Sequence, residues 1–229
     1  MLRKAGSSAA AFSLGALFLL ALALSPIASA QEGHFDASVN AAAVFTMQSD
    51  GNGVSQSATN GANFFGTFRV KLRARHSLLF NYGRAKDSQV YQTGFDFHIL
   101  NTISEYSGAY MFSPFQKGRF QPFVLAGAGA LTFSPRSTWI VLPDINGLPN
   151  RVQLDLGAAK QTKPAFLYGA GLDYQLPVVH HLAVRLQYRG FIYNAPDFAI
   201  DATSGSSVSL FTGAKGHMAE PSVGLVYQF

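Results

Sequence analysis

Leu182-Ala-Val-Arg-Leu-Gln-Tyr-Arg189 reads as two interleaved sets. Leu182, Val184, Leu186 and Tyr188 make one, and Arg185, Gln187 and Arg189 make the other. A period of two is the mark of a β-strand with unlike faces. The helical alternative is poor, because Gly, Phe, Val and Tyr are weak helix formers and a 3.6-residue period is absent.

The alternation recurs on both sides of this stretch. Phe35, Ala37, Val39, Ala41, Ala43 and Phe45 oppose His34, Asp36, Ser38 and Asn40. Phe64, Gly66, Phe68, Val70 and Leu72 oppose Asn63, Phe65, Thr67, Arg69 and Lys71. Leu78, Phe80 and Tyr82 oppose Ser77, Leu79 and Asn81, while Tyr106, Gly108, Tyr110 and Phe112 oppose Glu105, Ser107, Ala109 and Met111. Further on, Phe123, Leu125, Gly127, Gly129, Leu131 and Phe133 oppose Val124, Ala126, Ala128, Ala130 and Thr132. Phe166, Tyr168, Ala170, Leu172 and Tyr174 oppose Ala165, Gly169, Gly171, Asp173 and Gln175. The last segment sets Val223, Leu225, Tyr227 and Phe229 against Glu220, Ser222, Gly224 and Gln228. These are eight strands of an antiparallel, up-and-down all-β barrel.

Size decides what surrounds the barrel. Eight strands leave room inside only for side chains. The small and polar sets are therefore expected inside and the bulky sets outside, facing hydrocarbon. On that reading Phe123, Leu125, Leu131 and Phe133 point to lipid. Phe35 with Phe45, Phe123 with Phe133, and Tyr168 with Tyr174 then fall at the two interfaces, where aromatic girdles sit.

Connection lengths give an independent sign. Thr46–Gly61, Gly83–Gly94, Ser134–Lys163 and Asn194–Gly216 are the longer connections, and Arg73–His76, Ser113–Gly118 and Pro177–His181 are short. Long exterior loops alternating with short periplasmic turns are the outer-membrane pattern. Within the longest, Trp139–Leu142 and Val152–Leu156 flank Pro143, Asn146-Gly147 and Pro149, which predicts a hairpin extending two strands beyond the membrane.

The chain resembles the eight-stranded outer-membrane barrels of the OmpA/opacity-protein type. Pro122-Phe-Val-Leu-Ala-Gly-Ala-Gly-Ala130, Tyr168-Gly-Ala-Gly-Leu-Asp-Tyr174, Arg185–Arg189 and Val223-Gly-Leu-Val-Tyr-Gln-Phe229 carry the resemblance, which covers nearly all of residues 31–229. It implies a place in the outer membrane, with the lipid bilayer and lipopolysaccharide around a monomer. It also implies that Val223, Leu225, Tyr227 and Phe229 are similar to the signal read by the barrel assembly machinery. The peptidoglycan-binding domain of OmpA itself has no counterpart, so cell-wall tethering does not carry over, and the long third loop is a second departure.

Composition agrees. Of 229 residues, 13% are charged, against a usual share of roughly 25%, which excludes a disordered chain. There is no cysteine, hence no disulfide scaffold, zinc-thiolate site, thiol nucleophile or lipidated N-terminal cysteine. Arg3 and Lys4, the uncharged run Ala9–Leu24 and Ala28-Ser29-Ala30 form the three regions of a cleavable signal peptide over residues 1–30, with Ala28 and Ala30 framing the cut and Pro26 arguing against a membrane anchor. Losing Arg3 and Lys4 lowers a formal charge of +5 by two, too mild a balance for a nucleic-acid partner.

Candidate chemistry lies in the charges on the inner faces: Asp36, Arg69, Lys71, Glu105, Asp173, Arg185, Arg189 and Glu220. On the lipid face each would cost about 2–4 kcal/mol at the midplane. Strand adjacency suggests Asp36 with Lys71, Asp173 with Arg185, and Arg189 with Glu220, while Glu105 and Arg69 are expected to meet across the lumen. Two readings stay open: a polar plug, or a gate opened by exchange of ion-pair partners. Arg69, Lys71, Arg73 and Arg75 share one strand face running into a turn. His34, His76, His180 and His181 fall on the periplasmic rim without the convergence a metal needs. Gly127-Ala-Gly129 and Gly169-Ala-Gly171 lack the third glycine and helix of a dinucleotide site. His98, Ser104 and Glu105 match no hydrolase spacing. No catalytic residue, cofactor or metal is expected. The function expected is structural, with surface contact to an unidentified exterior ligand. A narrow low-conductance porin is the alternative, and a membrane-embedded lipid hydrolase the third.

Overall fold

In the computed structural model, residues 34–92, 96–142, 150–154, 159–179, 181–201 and 207–229 are described, with the backbone alone for 137–142, 150–154, 199–201 and 207–209. The expected leader at residues 1–30, with Ala28 and Ala30, lies outside them, as does His180.

Eight long strands form the wall: β1 (Phe35–Thr46), β4 (Gly61–Arg73), β5 (His76–Gln92), β6 (Asp96–Phe112), β7 (Phe120–Leu142), β9 (Gln161–Gln175), β10 (Leu182–Asn194) and β13 (Lys215–Gln228). Each pairs antiparallel with its neighbours in sequence, and β13 returns to β1, so the barrel is closed. The closing seam runs from Asp36↔Gln228 to Thr46↔Met218, and the Phe229 N–H donates to the Phe35 carbonyl at 3.1 Å. Closure removes the free edges that hydrocarbon cannot satisfy. The lipid-facing run of β1, Phe35 to Phe45, matches the roughly 9–11 residues a tilted strand needs to cross.

The connections differ from expectation in three places. Residues 83–92 are not loop but the upper half of β5, paired with β6 up to Gln92↔Asp96. Arg84 and Lys86 point outward and read as loop because the strand runs past the hydrocarbon, where an outward charge costs little, while Asp87 faces the lumen. The first exterior connection holds a small hairpin of β2 (Ser49–Gly51) and β3 (Val54–Ala58), and the last holds another, β11 (Phe198–Asp201) with β12 (Ser207–Leu210). The third extends as expected: β8 (Asn150–Leu154) pairs with the top of β7 from Thr138↔Leu154 to Leu142↔Asn150. Residues 155 and 156 lie outside the described residues.

One strand faces the other way from the sequence reading. Phe123, Leu125, Leu131 and Phe133 of β7 are buried in the lumen, and Val124, Ala126 and Ala128 are exposed to lipid. Phe123 and Phe133 are therefore not girdle residues. The reason is volume. Phe123 pairs with Gly171 of β9, and Leu125 with Gly169. A Cβ on Gly171 would overlap the Phe123 ring. Close packing requires the summed volume to fit, and two glycines on one strand admit two large side chains on the next. Elsewhere the expected faces hold: Val39, Phe64, Phe80, Phe166, Leu186 and Leu225 are all exposed outward.

Candidate functional site

The lumen is layered. Lowest, beside the short turns, Asp36 of β1 and Arg69 of β4 are register partners and form an ion pair. Arg69 also crosses to β9, where its Nη1 donates to Asp173 Oδ2 at 3.0 Å. Arg185 of β10, register partner of Asp173, donates from Nε at 2.7 Å and from Nη2 at 2.9 Å to the same carboxylate. The Phe123 ring lies 5.1 Å from the Arg185 guanidinium, a cation–π contact. Lys71 stands at the mouth, its Nζ 3.9 Å from Asp36 Oδ2 and its side chain 26% exposed. The main partner of Asp36 is thus Arg69, not Lys71. The lysine lies two residues nearer the turn, where water competes for its charge.

The middle layer is built on Arg189 of β10. Its Nη1 and Nη2 donate to Glu105 of β6 at 3.0 and 2.9 Å, across the lumen, and Nη2 also pairs with Glu220 of neighbouring β13. The expected meeting of Glu105 with Arg69 does not occur, since Asp173 takes the free side of Arg69. Asn63 donates to Glu220 Oε1 at 2.9 Å, and Ser107 to Glu105 Oε1 at 2.7 Å. A relay continues from Asn81 to Ser107 and from Thr67 to Asn81. The Arg189 guanidinium lies over the Phe65 ring at 3.6 Å. Gly83 makes this possible: a Cβ there would stand 3.0 Å from Glu105 Oε2 and 2.9 Å from Phe65 Cβ.

Arg69, Arg185 and Arg189 are fully buried. A lone charge in so dry a place is very costly, and a hydrogen-bonded partner offsets most of that cost. The eight lumenal residues include as many acids as bases, so the two layers together are formally neutral. A cavity of about 120 Å³ enters from the periplasmic mouth between Lys71, Gln116, Arg119 and Gln121 and ends against Asp173.

The outer lumen is different in kind. Val44, Ile99, Leu131, Phe133, Phe191, Tyr193 and Met218 fill it, with Phe198 and Leu210 of the last exterior hairpin buried above. Among them sits Asp87, which sequence reasoning missed by placing it in a loop. Its carboxylate is buried, and no cation pairs with it among the described residues. Asn101, its register partner on β6, is also buried, with both amide atoms unpaired. Gln89, next on the same face, accepts from Gln56 at 3.1 Å and from the Tyr91 hydroxyl at 2.9 Å. Asp87 lies beyond the aromatic row of Tyr82 and Tyr106, outside the hydrocarbon span. Burial raises its pKa to about 7, offset in part by Gln89. Burial also raises the Tyr91 hydroxyl, further out on the same strand.

The remaining candidates disperse. Ser104 and Glu105 are consecutive and so face opposite sides of the wall, with Glu105 committed to Arg189; the His98–Ser104–Glu105 triple does not assemble. Arg73 and Arg75 are exposed at the β4–β5 turn. Among the described residues no three His, Asp or Glu converge as metal ligands. Val223, Leu225 and Tyr227 point outward from β13, and the Tyr227 and Phe229 rings meet edge to face at 5.1 Å.

The model of the outer membrane protein β-barrel domain matches residues 14–229. No curated protein sequence matches the chain. Among solved structures the chain is similar to the outer membrane protein OprG from Pseudomonas aeruginosa, with 13% identity, 87% of this chain and 97% of that one covered, and a TM-score of 0.62. It is also similar to a major outer membrane protein from Thermus thermophilus (14%, 85% and 99% covered, TM-score 0.52) and to Neisserial surface protein A (14%, 87% and 99%, TM-score 0.51). At such identities these show a shared fold and no more. Closed wall, lipid-facing exterior and family match converge: the chain belongs to the outer membrane β-barrel protein family and lies in the outer membrane.

Proposed function

We propose that the protein is a plugged barrel that displays its outer connections to the exterior, and that its work is surface contact or envelope integrity rather than transport. One observation carries this reading: three fully buried arginines, each tied to carboxylates from other strands, cross the lumen in two layers beneath an aromatic fill. Ions would have to break several charge-assisted bonds at once. Recognition commonly resides on loops held by a rigid scaffold, and here the first, third and last connections each carry an additional strand or hairpin. Export by the leader over residues 1–30 and reading of Val223, Leu225, Tyr227 and Phe229 by the assembly machinery complete the proposal.

A specific feature favours a gate as the second reading. Arg189 bridges two carboxylates, so it could release one and keep the other. Planar-bilayer conductance of the refolded protein separates the two. A silent bilayer is the expected result. Discrete steps that change in Arg189→Ala or Glu220→Ala would replace the plug by the gate. Exchange of residues 137–158 for a short Gly-Ser turn should abolish cell-surface binding without altering heat-modifiable gel mobility. Unchanged binding would remove the third loop as the contact.

A further inference from the structure

Below the charged lattice the lumen ends in the cavity of about 120 Å³ at the periplasmic mouth. Lys71 stands at its edge on β4, and Gln116 and Arg119 come from the turn between β6 and β7. Gln121 of β7, Gln175 of β9 and Gln228 of β13 also line it. Gln121 is the register partner of Asp173, whose carboxylate forms the floor.

Charge sets this mouth apart from a merely wet opening. Asp36 and Asp173 are already held by Arg69 and Arg185, and Asp173 alone accepts three hydrogen bonds from the two guanidiniums. Lys71 reaches Asp36 only at 3.9 Å, and among the described residues no carboxylate pairs with Arg119. The lower layer with its mouth thus sets four bases, Arg69, Arg185, Lys71 and Arg119, against two acids. The extra carboxylate of the middle layer lies deeper and is bonded to Arg189. Arg73, Arg75 and Lys117, exposed at the rim, add to the surplus.

The amides narrow the ligand. Each glutamine brings a carbonyl acceptor and two N–H donors. Gln121 spends one N–H on Ser113 at 3.2 Å, which leaves its carbonyl facing a need for a donor. A peptide unit offers one donor and one acceptor, whereas a bare oxyanion has few or no hydrogens to give. Size narrows it further. Sites for whole small molecules are roughly 300–1,000 Å³, so this cavity takes the end of something larger that stays in the periplasm.

We propose that the periplasmic mouth binds the C-terminal carboxylate of a peptide, held between Lys71 and Arg119, with the last peptide unit among Gln116, Gln121 and Gln228. A guanidinium matches a carboxylate in two parallel bonds. Asp173 at the floor repels the incoming anion and stops it at the level of the two cations. The barrel would then hold a periplasmic partner by its tail while its loops face outward. The site lies below the Arg69–Asp173 layer, so it does not depend on whether the lumen conducts.

The test uses the refolded full chain in zwitterionic nanodiscs, which leave both mouths open, and ligand-observed NMR with three probes: N-acetylalanine, its uncharged N-methylamide and inorganic phosphate. N-acetylalanine should bind most tightly, and the methylamide about tenfold or more weaker, since a charge-assisted bond is lost. Arg119→Gln and Lys71→Gln should each weaken N-acetylalanine about fivefold or more, while Arg84→Gln, the same change of charge on the far outer wall, should leave it unaltered. Both mouth variants within about twofold of the parent would overturn the proposal. So would a methylamide that binds as well as the acid, or an Arg84→Gln loss equal to that of Arg119→Gln, which would reduce the effect to overall charge. Phosphate binding as tightly as N-acetylalanine would also overturn it, leaving an oxyanion site without peptide recognition. Heat-modifiable gel mobility verifies folding of each variant, and the two mouth positions test the site separately should one of them fail that check.

Discussion

The inner and outer halves of the lumen solve the same problem in opposite ways. In the inner half every carboxylate meets a guanidinium: Asp36 and Asp173 by Arg69 and Arg185, Glu105 and Glu220 by Arg189. In the outer half Asp87 has no cation beside it among the described residues, and burial pushes its carboxyl to about 7. A buried acid is kept charged by a partner or made neutral by a proton. The comparison teaches that this barrel is filled by two materials. One is a charged lattice fixed across the wall, and the other is an aromatic fill around Asp87, whose carboxyl is raised by burial.

The largest effect should come from breaking the lattice. Arg189→Met strands Glu105 and Glu220 and should cost about 3–5 kcal/mol. Denaturant unfolding followed by gel mobility reads this, and adding Glu105→Gln and Glu220→Gln should recover much of the loss. An unchanged midpoint would mean that the lattice is ornamental. Next comes Gly171→Ala, which forces Phe123 to move and should cost about 1–3 kcal/mol. Phe123→Leu on the same background should restore the part of the loss due to the ring, and the rest should persist because the Leu186 carbonyl still stands 2.6 Å from the new Cβ. If the two substitutions act independently, β7 does not face the lumen as described.

Asp87→Asn sharpens the other side of the comparison. A carboxyl raised from 3.8 in the unfolded chain to about 7 when folded contributes stability that is complete below about pH 4. That contribution is lost as pH rises to about 7, and stability is level beyond, because the folded form holds the proton longer. The amide should abolish this slope and leave the barrel about 1–3 kcal/mol more stable than the parent above pH 7. A parent whose stability is flat from pH 4 to pH 7 would show that Asp87 has a counter-charge. Smallest is Lys71→Gln at the wet mouth, expected to change stability by less than about 1 kcal/mol. A larger loss would extend the lattice to the periplasmic rim.

Much of this was legible beforehand, for one physical reason: alternation reports burial wherever the two faces differ in polarity. Strands β4, β9 and β10 carry charges on one face only, and their inward residues are where alternation puts them. β7 carries no charge between Phe123 and Phe133, so only size was left to decide its facing. Size misled because the complement of Phe123 lies on another strand, at Gly171. Reading β7 and β9 as a pair, with two glycines opposite two bulky residues, is the signal that would have found it. Asp87 was lost for a related reason. Arg84 and Lys86 look like loop residues to any rule that equates strand with membrane span, and this strand continues past the membrane. Single-strand reading also fixed who could neighbour Asp36 without fixing who does, since Arg69 and Lys71 share a face two residues apart.

The seam between Phe35 and Phe229 has a kinetic meaning. It joins residues almost as far apart as this chain allows, and folding slows as contacting residues lie further apart in sequence. Until β13 arrives, Arg189 has no Glu220, and the wall is an open curved sheet with a wet, charged concave side. That side is the one that helps keep an unfinished barrel from collapsing on itself. The charges that later stopper the lumen would thus serve first as solubilising groups of the intermediate, and sealing the seam would be the step that converts one role into the other.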